Sequence, residues 1–120
     1  LTRIATGLLG LLLGERSVAI NRAALAEPDG ELAAVLLAEG RHRTGPIVEA
    51  YLARLAAEGR IRVDDPAEAF QLLYGLVVRD LQIRVLLGEA PPDRAAIAAQ
   101  ARTAVDRFLS LTGNPEKRLS

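Results

Sequence analysis

The stretch that most constrains the fold runs from Val63 to Gly88 and reads VDDPAEAFQLLYGLVVRDLQIRVLLG. Asp65, Pro66 and Glu68 supply an N-cap, a proline in the first turn and the acidic residue of a capping box. These signals predict a helix over residues 66–87, the longest in the chain. Its apolar residues form two stripes rather than one, so the helix needs two buried faces.

A central helix in a homodimer has this need. One stripe contains Leu72, Leu76, Arg79, Ile83, Leu86 and Leu87, and the other contains Phe70, Leu73, Tyr74, Val77, Asp80, Leu81 and Arg84. One face would cover the subunit core, and the other would meet the partner's copy in a four-helix bundle. Asp80 and Arg84 have the favourable i, i+4 spacing for an ion pair. We place this pair near the interface or pocket; the alternative is a solvated patch at the helix end.

The residues that begin and end helices elsewhere in the sequence predict an all-α chain of six helices, of which the last two are long. Half of the residues are hydrophobic and only 3% are aromatic, with Leu and Ala dominant, which favours a helical bundle. Three of the other helices are predicted over residues 2–13, 15–27 and 46–58. A short helix between the first two and the third is capped by Asp29 and ends at Gly40, and the last helix is capped by Asp93 and reaches Leu111. The segment RHRTGP is predicted as a turn, RIRVDD as an extended linker without a pairing partner, and GNPEKRLS as a frayed tail.

Charge and residue usage exclude several kinds of function. The formal net charge is zero, so residues 1–120 are not expected to bind the phosphates of nucleic acids by themselves. With no cysteine and one histidine, His42, we expect no metal site, no cofactor and no catalytic constellation. The missing cysteines fit a cytoplasmic location. Only eleven uncharged residues separate Arg3 from Glu15, too few to cross a membrane. His42 is interpreted as an exposed turn residue.

The chain resembles the C-terminal domain of TetR-family transcriptional regulators, especially the AefR-like group. Residues 59–88 resemble the eighth helix of these proteins and its short lead. The matching residues are Gly59, Val63, Asp65, Pro66, Gly75, Leu76, Asp80, Leu81, Leu86, Leu87 and Gly88. The segments LLLGERSVAINRAALAE and ELAAVLLAEGRHRTGPIVEAYLARLAAEGRI look like the preceding helices, so the resemblance covers nearly all 120 residues.

This resemblance implies a regulatory domain over residues 1–120, without the N-terminal helix-turn-helix that reads operator DNA. Such a domain binds a small molecule and dimerises, and ligand binding usually relieves repression. Operator DNA would be contacted only through the missing N-terminal domain. The partners expected for this chain are therefore a second copy and a small apolar or aromatic effector, with no membrane.

Candidate site residues follow from side-chain chemistry and position. Tyr51 and Tyr74 combine an apolar ring with a hydroxyl, and Asn21 lies between apolar neighbours, so these three are candidate ligand contacts, although core or boundary positions are the commoner use of such residues. The dimer interface is predicted over residues 66–87 and 93–111. Its candidate residues are Leu76, Arg79, Asp80, Ile83, Leu87, Ile97, Ala101 and Phe108.

Two functions from different classes remain at this stage. The first is the ligand-sensing, dimerising domain of a transcriptional repressor, which is not an enzyme. The alternative is a free-standing all-α module that buries its apolar helix against a different protein. A basic helix-turn-helix encoded upstream of Leu1 would favour the first of these.

Overall fold

The computed structural model describes residues 1–113 and confirms the all-α class. Within this part of the chain seven helical segments follow one another: α1 Thr2–Leu12, α2 Glu15–Ala26, α3 Glu31–Glu39, α4 Arg41–Ala57, α5 Pro66–Val78, α6 Leu81–Leu86 and α7 Arg94–Thr112. The predicted tail lies outside the described residues from Asn114 onwards. The predicted order of helices is confirmed, and two of their boundaries are wrong.

The core lies where α1, α5 and α7 pack together, with α4 against α5. The largest fully buried side chains are Leu9, Leu52, Val77 and Phe108, one from each of these helices. Two of the predicted caps are confirmed: the Asp65 carboxylate accepts from the Ala67 amide at 2.9 Å, and that of Asp93 accepts from the Ala96 amide at 2.8 Å. Each of these caps satisfies an amide that has no partner within its own helix. The third is wrong, because the N-cap of α3 is Gly30 rather than Asp29.

The helix predicted over residues 66–87 is broken in two. α5 ends at Val78, Arg79 takes φ 51° and ψ −130°, and α6 begins after Asp80. The break frees carbonyls at the end of α5, and the Gln100 side chain of α7 reaches those of Leu76 and Val77 at 3.3 and 3.4 Å. A contact from a distant part of the chain thus replaces bonds that a continuous helix would make, which local sequence signals do not reveal.

The segment RHRTGP is helical rather than a turn. α4 begins at Arg41 with Gly40 as its N-cap, and the Thr44 amide donates to the Gly40 carbonyl at 2.8 Å. Pro46 therefore lies inside the helix, where its backbone nitrogen has no hydrogen to donate. His42 is exposed as expected, but it lies on the first turn of α4.

The linker between α4 and α5 has a pairing partner after all. Ile61 forms an isolated antiparallel bridge with Gly113, and the Arg62 amide donates to the Thr112 carbonyl at 2.6 Å. Ile61 is only 3% exposed, so this short segment is fixed to the end of α7 by burial as well as by hydrogen bonding.

Among residues 1–113 no single helix is long and apolar enough to span a membrane; α1 and α2 together pass that test by length and composition, but they are bent by 57°.

Candidate ligand-binding cavity

A cavity of about 710 Å³ lies between α1, α2, α3 and the start of α4, with Tyr74 from α5 and Gln82 from α6 also on its wall. Its size falls within the roughly 300–1,000 Å³ typical of small-molecule sites. Most of the lining is apolar and aliphatic, with Leu11, Leu12, Ile20, Leu25, Leu36 and Leu37 as the large side chains.

Helix α3 explains why this space is not filled. Its sequence ELAAVLLAE is strongly apolar, yet none of its residues is buried. It packs on α2 and α4, and it makes no substantial contact with the core helices α1, α5 and α7. α3 therefore covers the cavity as a wall, and Ala33, Leu36 and Leu37 remain available to an apolar ligand.

The polar groups of the cavity are few. The Asn21 side-chain amide donates to the Ser17 carbonyl at 2.8 Å and to the Ser17 hydroxyl at 3.3 Å. These bonds use the amide nitrogen and leave the Asn21 side-chain oxygen able to accept from a ligand. Gln82 contributes a second amide, and Glu15, Arg16 and Arg41 contribute charge.

Tyr74 lies between the cavity and the core. Its ring centroid lies 6.0 Å from that of Phe70, and the Arg41 guanidinium lies 5.4 Å from the Tyr74 ring centroid. Burial raises the pKa of the Tyr74 phenol, and the nearby Arg41 charge opposes this shift. The phenol therefore stays protonated at neutral pH and can donate a hydrogen bond.

A second, smaller cavity of about 210 Å³ adjoins the first. Leu11 and Tyr74 line both, and the rest of its wall is largely apolar side chains of α1, α4 and α5, including Leu8, Phe70 and Val77. Tyr74 thus separates a larger space with polar groups from a smaller apolar space closer to the core.

Two of the three predicted ligand contacts come together. Asn21 and Tyr74 both line the larger cavity. Tyr51 does not; it lies on the far part of α4, beside Ile47 and beneath the Arg54 guanidinium, which is 5.4 Å from its ring centroid. The sequence prediction missed Arg41, which lies in the segment predicted as a turn, and Gln82, which no sequence signal singled out.

The predicted interface residues divide into two sets. Ala101 and Phe108 are fully buried within the single chain, so they belong to the subunit core and offer no surface to a second chain. The small Ala101 side chain lies on the side of α7 that packs against α1 and α5. Partly or largely exposed are Leu76, Arg79, Asp80, Ile83, Leu87 and Ile97.

The predicted Asp80–Arg84 ion pair forms at 3.8 Å, but it is solvated. The side chains are 60% and 47% exposed, respectively. Arg84 makes a shorter contact of 2.6 Å with Glu89, which is the main cause of its raised pKa. The pair therefore matches the alternative of a solvated patch, and at this exposure it contributes little stability.

Helix α6 is held to the cavity wall by an arginine of α2. The Arg22 guanidinium donates to the carbonyls of Leu86 and Val85, both at 2.9 Å. These are carbonyls of the last turn of α6, where a cation also interacts favourably with the helix dipole. The helix that carries Ile20 and Asn21 is thereby linked to the one that carries Gln82.

Three carboxylates meet in the loop between α2 and α3. Glu27, Asp29 and Glu31 place oxygens within 4.8 Å of one another. Two of these residues already serve the start of α3, because Glu27 accepts from the Leu32 amide at 2.8 Å and Asp29 from the Glu31 amide at 3.3 Å. Helix capping accounts for this acidic group.

Solved structures share this arrangement of helices. A TetR transcriptional regulator from Agrobacterium tumefaciens is 37% identical and superposes with a TM-score of 0.85 over 96% of this chain and 59% of that one. A putative TetR-family regulator from Mesorhizobium loti MAFF303099 is 21% identical, with a TM-score of 0.86 over 95% and 58%, a likeness of fold alone. The chain thus shares its fold with part of these TetR-type regulators, and it spans about 59% of the length of the Agrobacterium protein.

The sequence narrows this class further. The family model described as the AefR-like transcriptional repressor, C-terminal domain, matches residues 1–111. The chain therefore belongs to the AefR-like C-terminal domain family of TetR transcriptional regulators. No curated protein matches it.

Proposed function

We propose that this chain is the ligand-sensing and dimerising part of a cytoplasmic TetR-type repressor, and that it has no catalytic role. The observation that carries the proposal is the cavity of about 710 Å³, with aliphatic walls and a few converging polar groups. In such a protein a small amphipathic molecule would occupy the cavity, and operator DNA would be bound by a helix-turn-helix outside residues 1–120. The zero formal net charge of the chain supports this division of roles.

The contacts around α6 suggest how occupancy would be transmitted. A ligand between α2 and α3 would touch Asn21, and Arg22 on the same helix holds the end of α6. Movement of α2 would therefore shift α6, which is separated from α5 by the helix break at Arg79. A ligand changes an equilibrium between conformations only through such differential contacts.

Dimerisation is proposed through α5, α6 and the exposed side of α7. Leu72, Ile83 and Leu87 are 38%, 50% and 80% exposed, which is unusual for large apolar side chains on neighbouring helices. Leu76 and Ile97 on α5 and α7 are partly buried against the subunit core. A second copy with the same surface would cover these residues around a twofold axis.

The ligand-sensing proposal is tested by filling the cavity. Ala33 lines it, whereas Ala34, on the same helix, is exposed and not among its lining residues. A panel of small apolar compounds is screened by thermal shift against the chain, Ala33→Phe and Ala34→Phe. We expect compounds that raise the melting temperature of the chain and of Ala34→Phe, but not of Ala33→Phe. Equal responses of the two variants would show that ligands bind elsewhere, and the proposal would be wrong.

A further inference from the structure

We infer that the cavity takes an aliphatic monoanion, a ligand with a flexible apolar chain and one carboxylate head that is bound by Arg41. This inference rests on the proposed ligand-sensing function and specifies the chemistry of the same cavity. Three features carry it: the charge of the lining, the position of Arg41 and the aliphatic wall.

The charged residues that line the cavity give it a net positive charge. Two arginines, Arg16 and Arg41, and one acid, Glu15, line it, so two positive charges and one negative charge leave a formal excess of one. None of the ion pairs found among the described residues involves any of these three. An anionic head would balance this excess, whereas a cationic head would add to it.

Arg41 is placed at the boundary between solvent and the apolar wall. Its guanidinium lies 5.4 Å from the ring centroid of Tyr74, which holds it beside the cavity through a cation–π contact. Arg43, two residues along α4, instead pairs with Glu39 at 3.2 Å and is not among the lining residues. Arg41 thus keeps its planar set of donors free to bind a carboxylate through two hydrogen bonds.

Two neighbouring groups support an acidic head at this position. The Tyr74 hydroxyl, which makes no hydrogen bond to another described residue, can donate to the same carboxylate. The first residues of α2 and α4 both line the cavity, and the amides at helix N-termini carry partial positive charge. Glu15 already offsets part of this charge at α2, so the α4 end, where Arg41 lies, is the more favourable for an anion.

The remaining wall selects an aliphatic chain. Leucine and isoleucine side chains from α1, α2 and α3 make up its large residues, and Tyr74 is the one aromatic ring among the lining residues. A fully polar ligand would leave these leucines in contact with water. A flexible chain can follow an irregular aliphatic surface and remove it from solvent.

The experiment compares three eight-carbon probes that differ only in the head group: octanoate, octanol and octylammonium. Their affinities for the chain are measured by isothermal titration calorimetry at neutral pH, below the concentrations at which the probes aggregate. Arg41→Gln removes the proposed anion contact. Arg54→Gln is a matched control, because Arg54 is also on α4 and lies at the same 5.4 Å from a tyrosine ring, but outside this cavity.

We expect octanoate to bind at least about tenfold more tightly than octanol, as a charge-assisted hydrogen bond predicts, and octylammonium to bind most weakly. Arg41→Gln should reduce the octanoate affinity by about the same factor and leave that of octanol unchanged, while Arg54→Gln should change neither. Equal binding of octanoate and octanol, or equal losses in the two variants, would overturn the inference.

The same measurements separate this inference from the proposed function. If octanol binds as well as octanoate and Ala33→Phe blocks both, the cavity senses ligands but the anionic class is wrong. If no probe binds, the aliphatic anion is also wrong, and the cavity-filling screen alone then decides whether the cavity takes any ligand.

Discussion

At the scale of single residues, Tyr74 connects the core with the candidate ligand cavity. Its ring faces Phe70 in the core and Arg41 at the cavity rim, and its side chain lines both cavities. Burial raises the pKa of its phenol because the charged phenolate would lose solvation, and the positive charge of Arg41 offsets only part of that effect. The ionisation of this phenol therefore reports on the environment of the cavity.

We predict that Tyr74 ionises above the ordinary tyrosine value of 10.0. The chain has only two tyrosines, so the Tyr51→Phe variant isolates Tyr74 in a titration of tyrosinate absorbance. Because the folded chain holds the phenol proton more tightly than the unfolded chain, stability should fall as the pH rises from 10.0 towards the folded pKa. Tyr74→Phe should lose less stability over this interval. A midpoint at or below 10.0 would contradict a buried phenol.

At this scale, side-chain chemistry was enough to single out some of the residues that line the cavity. Asn21 and Tyr74 combine polar atoms with apolar surroundings, and both line the cavity. Tyr51 has the same chemistry and lies elsewhere, because its position depends on which turn of α4 faces α3. Arg41 could not be found from the sequence, since its place beside the cavity depends on a cation–π contact with a residue on another helix.

At the scale of helices, the break between α5 and α6 is the main departure from the expected fold. Arg79 has a positive φ of 51°, a conformation that a residue with a side chain adopts at some cost in free energy. Gln100 compensates by donating to the carbonyls of Leu76 and Val77 while its own oxygen accepts from Arg79 at 3.3 Å. One side chain of α7 thus stabilises the end of α5.

We predict that Gln100→Ala lowers the free energy of unfolding by about 1–2 kcal/mol, because it removes these hydrogen bonds from partly buried carbonyls. Gln71→Ala is the matched control. Gln71 is an exposed glutamine within α5, so the same change should have an effect near zero there. Urea denaturation followed by circular dichroism measures both variants. Equal effects of the two substitutions would show that Gln100 does not stabilise the break.

The helices themselves were largely predictable, and their interruptions were not. Caps at Asp65 and Asp93 are local signals that fixed the starts of α5 and α7. The break at Arg79 is bridged by hydrogen bonds from Gln100, which is 21 residues away, and helical periodicity does not reveal such a contact. At α4 the proline rule gave a start at Pro46, whereas the helix begins at Arg41 and includes the proline.

At the scale of the whole molecule, two apolar regions of the described residues carry the functions proposed above. One is the cavity beneath α3, on one side of the core, and the other is the exposed apolar surface of α5 and α6. Arg22 connects them, because it extends from the cavity helix α2 to the end of α6. A change in the cavity would in this way reach the surface at which two copies are proposed to meet.

The sequence indicated two buried faces for residues 66–87, and the structure changes how that need is met. Val77 and Val78 are buried in the subunit, whereas Leu72 and Ile83 remain exposed on either side of the break. The exposed set is smaller than the predicted one, since Ala101 and Phe108 belong to the core. A family-like interface of about 1,500 Å² or more would therefore need further surface from α7, such as the exposed Ala99 and Thr103.

We predict that the chain is a homodimer at tens of micromolar, a concentration at which interfaces of this size normally hold. Ile83→Glu should place two uncompensated charges in the interface and give a monomer. Ile83 is 50% exposed in the single chain, so this substitution should leave the subunit folded, which circular dichroism would check. Val35→Glu is the control, since Val35 is 55% exposed on α3, away from the proposed interface. Sedimentation velocity should show a dimer for the unaltered chain and for Val35→Glu, and a folded monomer for Ile83→Glu. An unaltered chain that sediments as a monomer would mean that α5 and α6 leave their apolar surface to a different partner, as expected of an interaction module rather than a dimeric repressor.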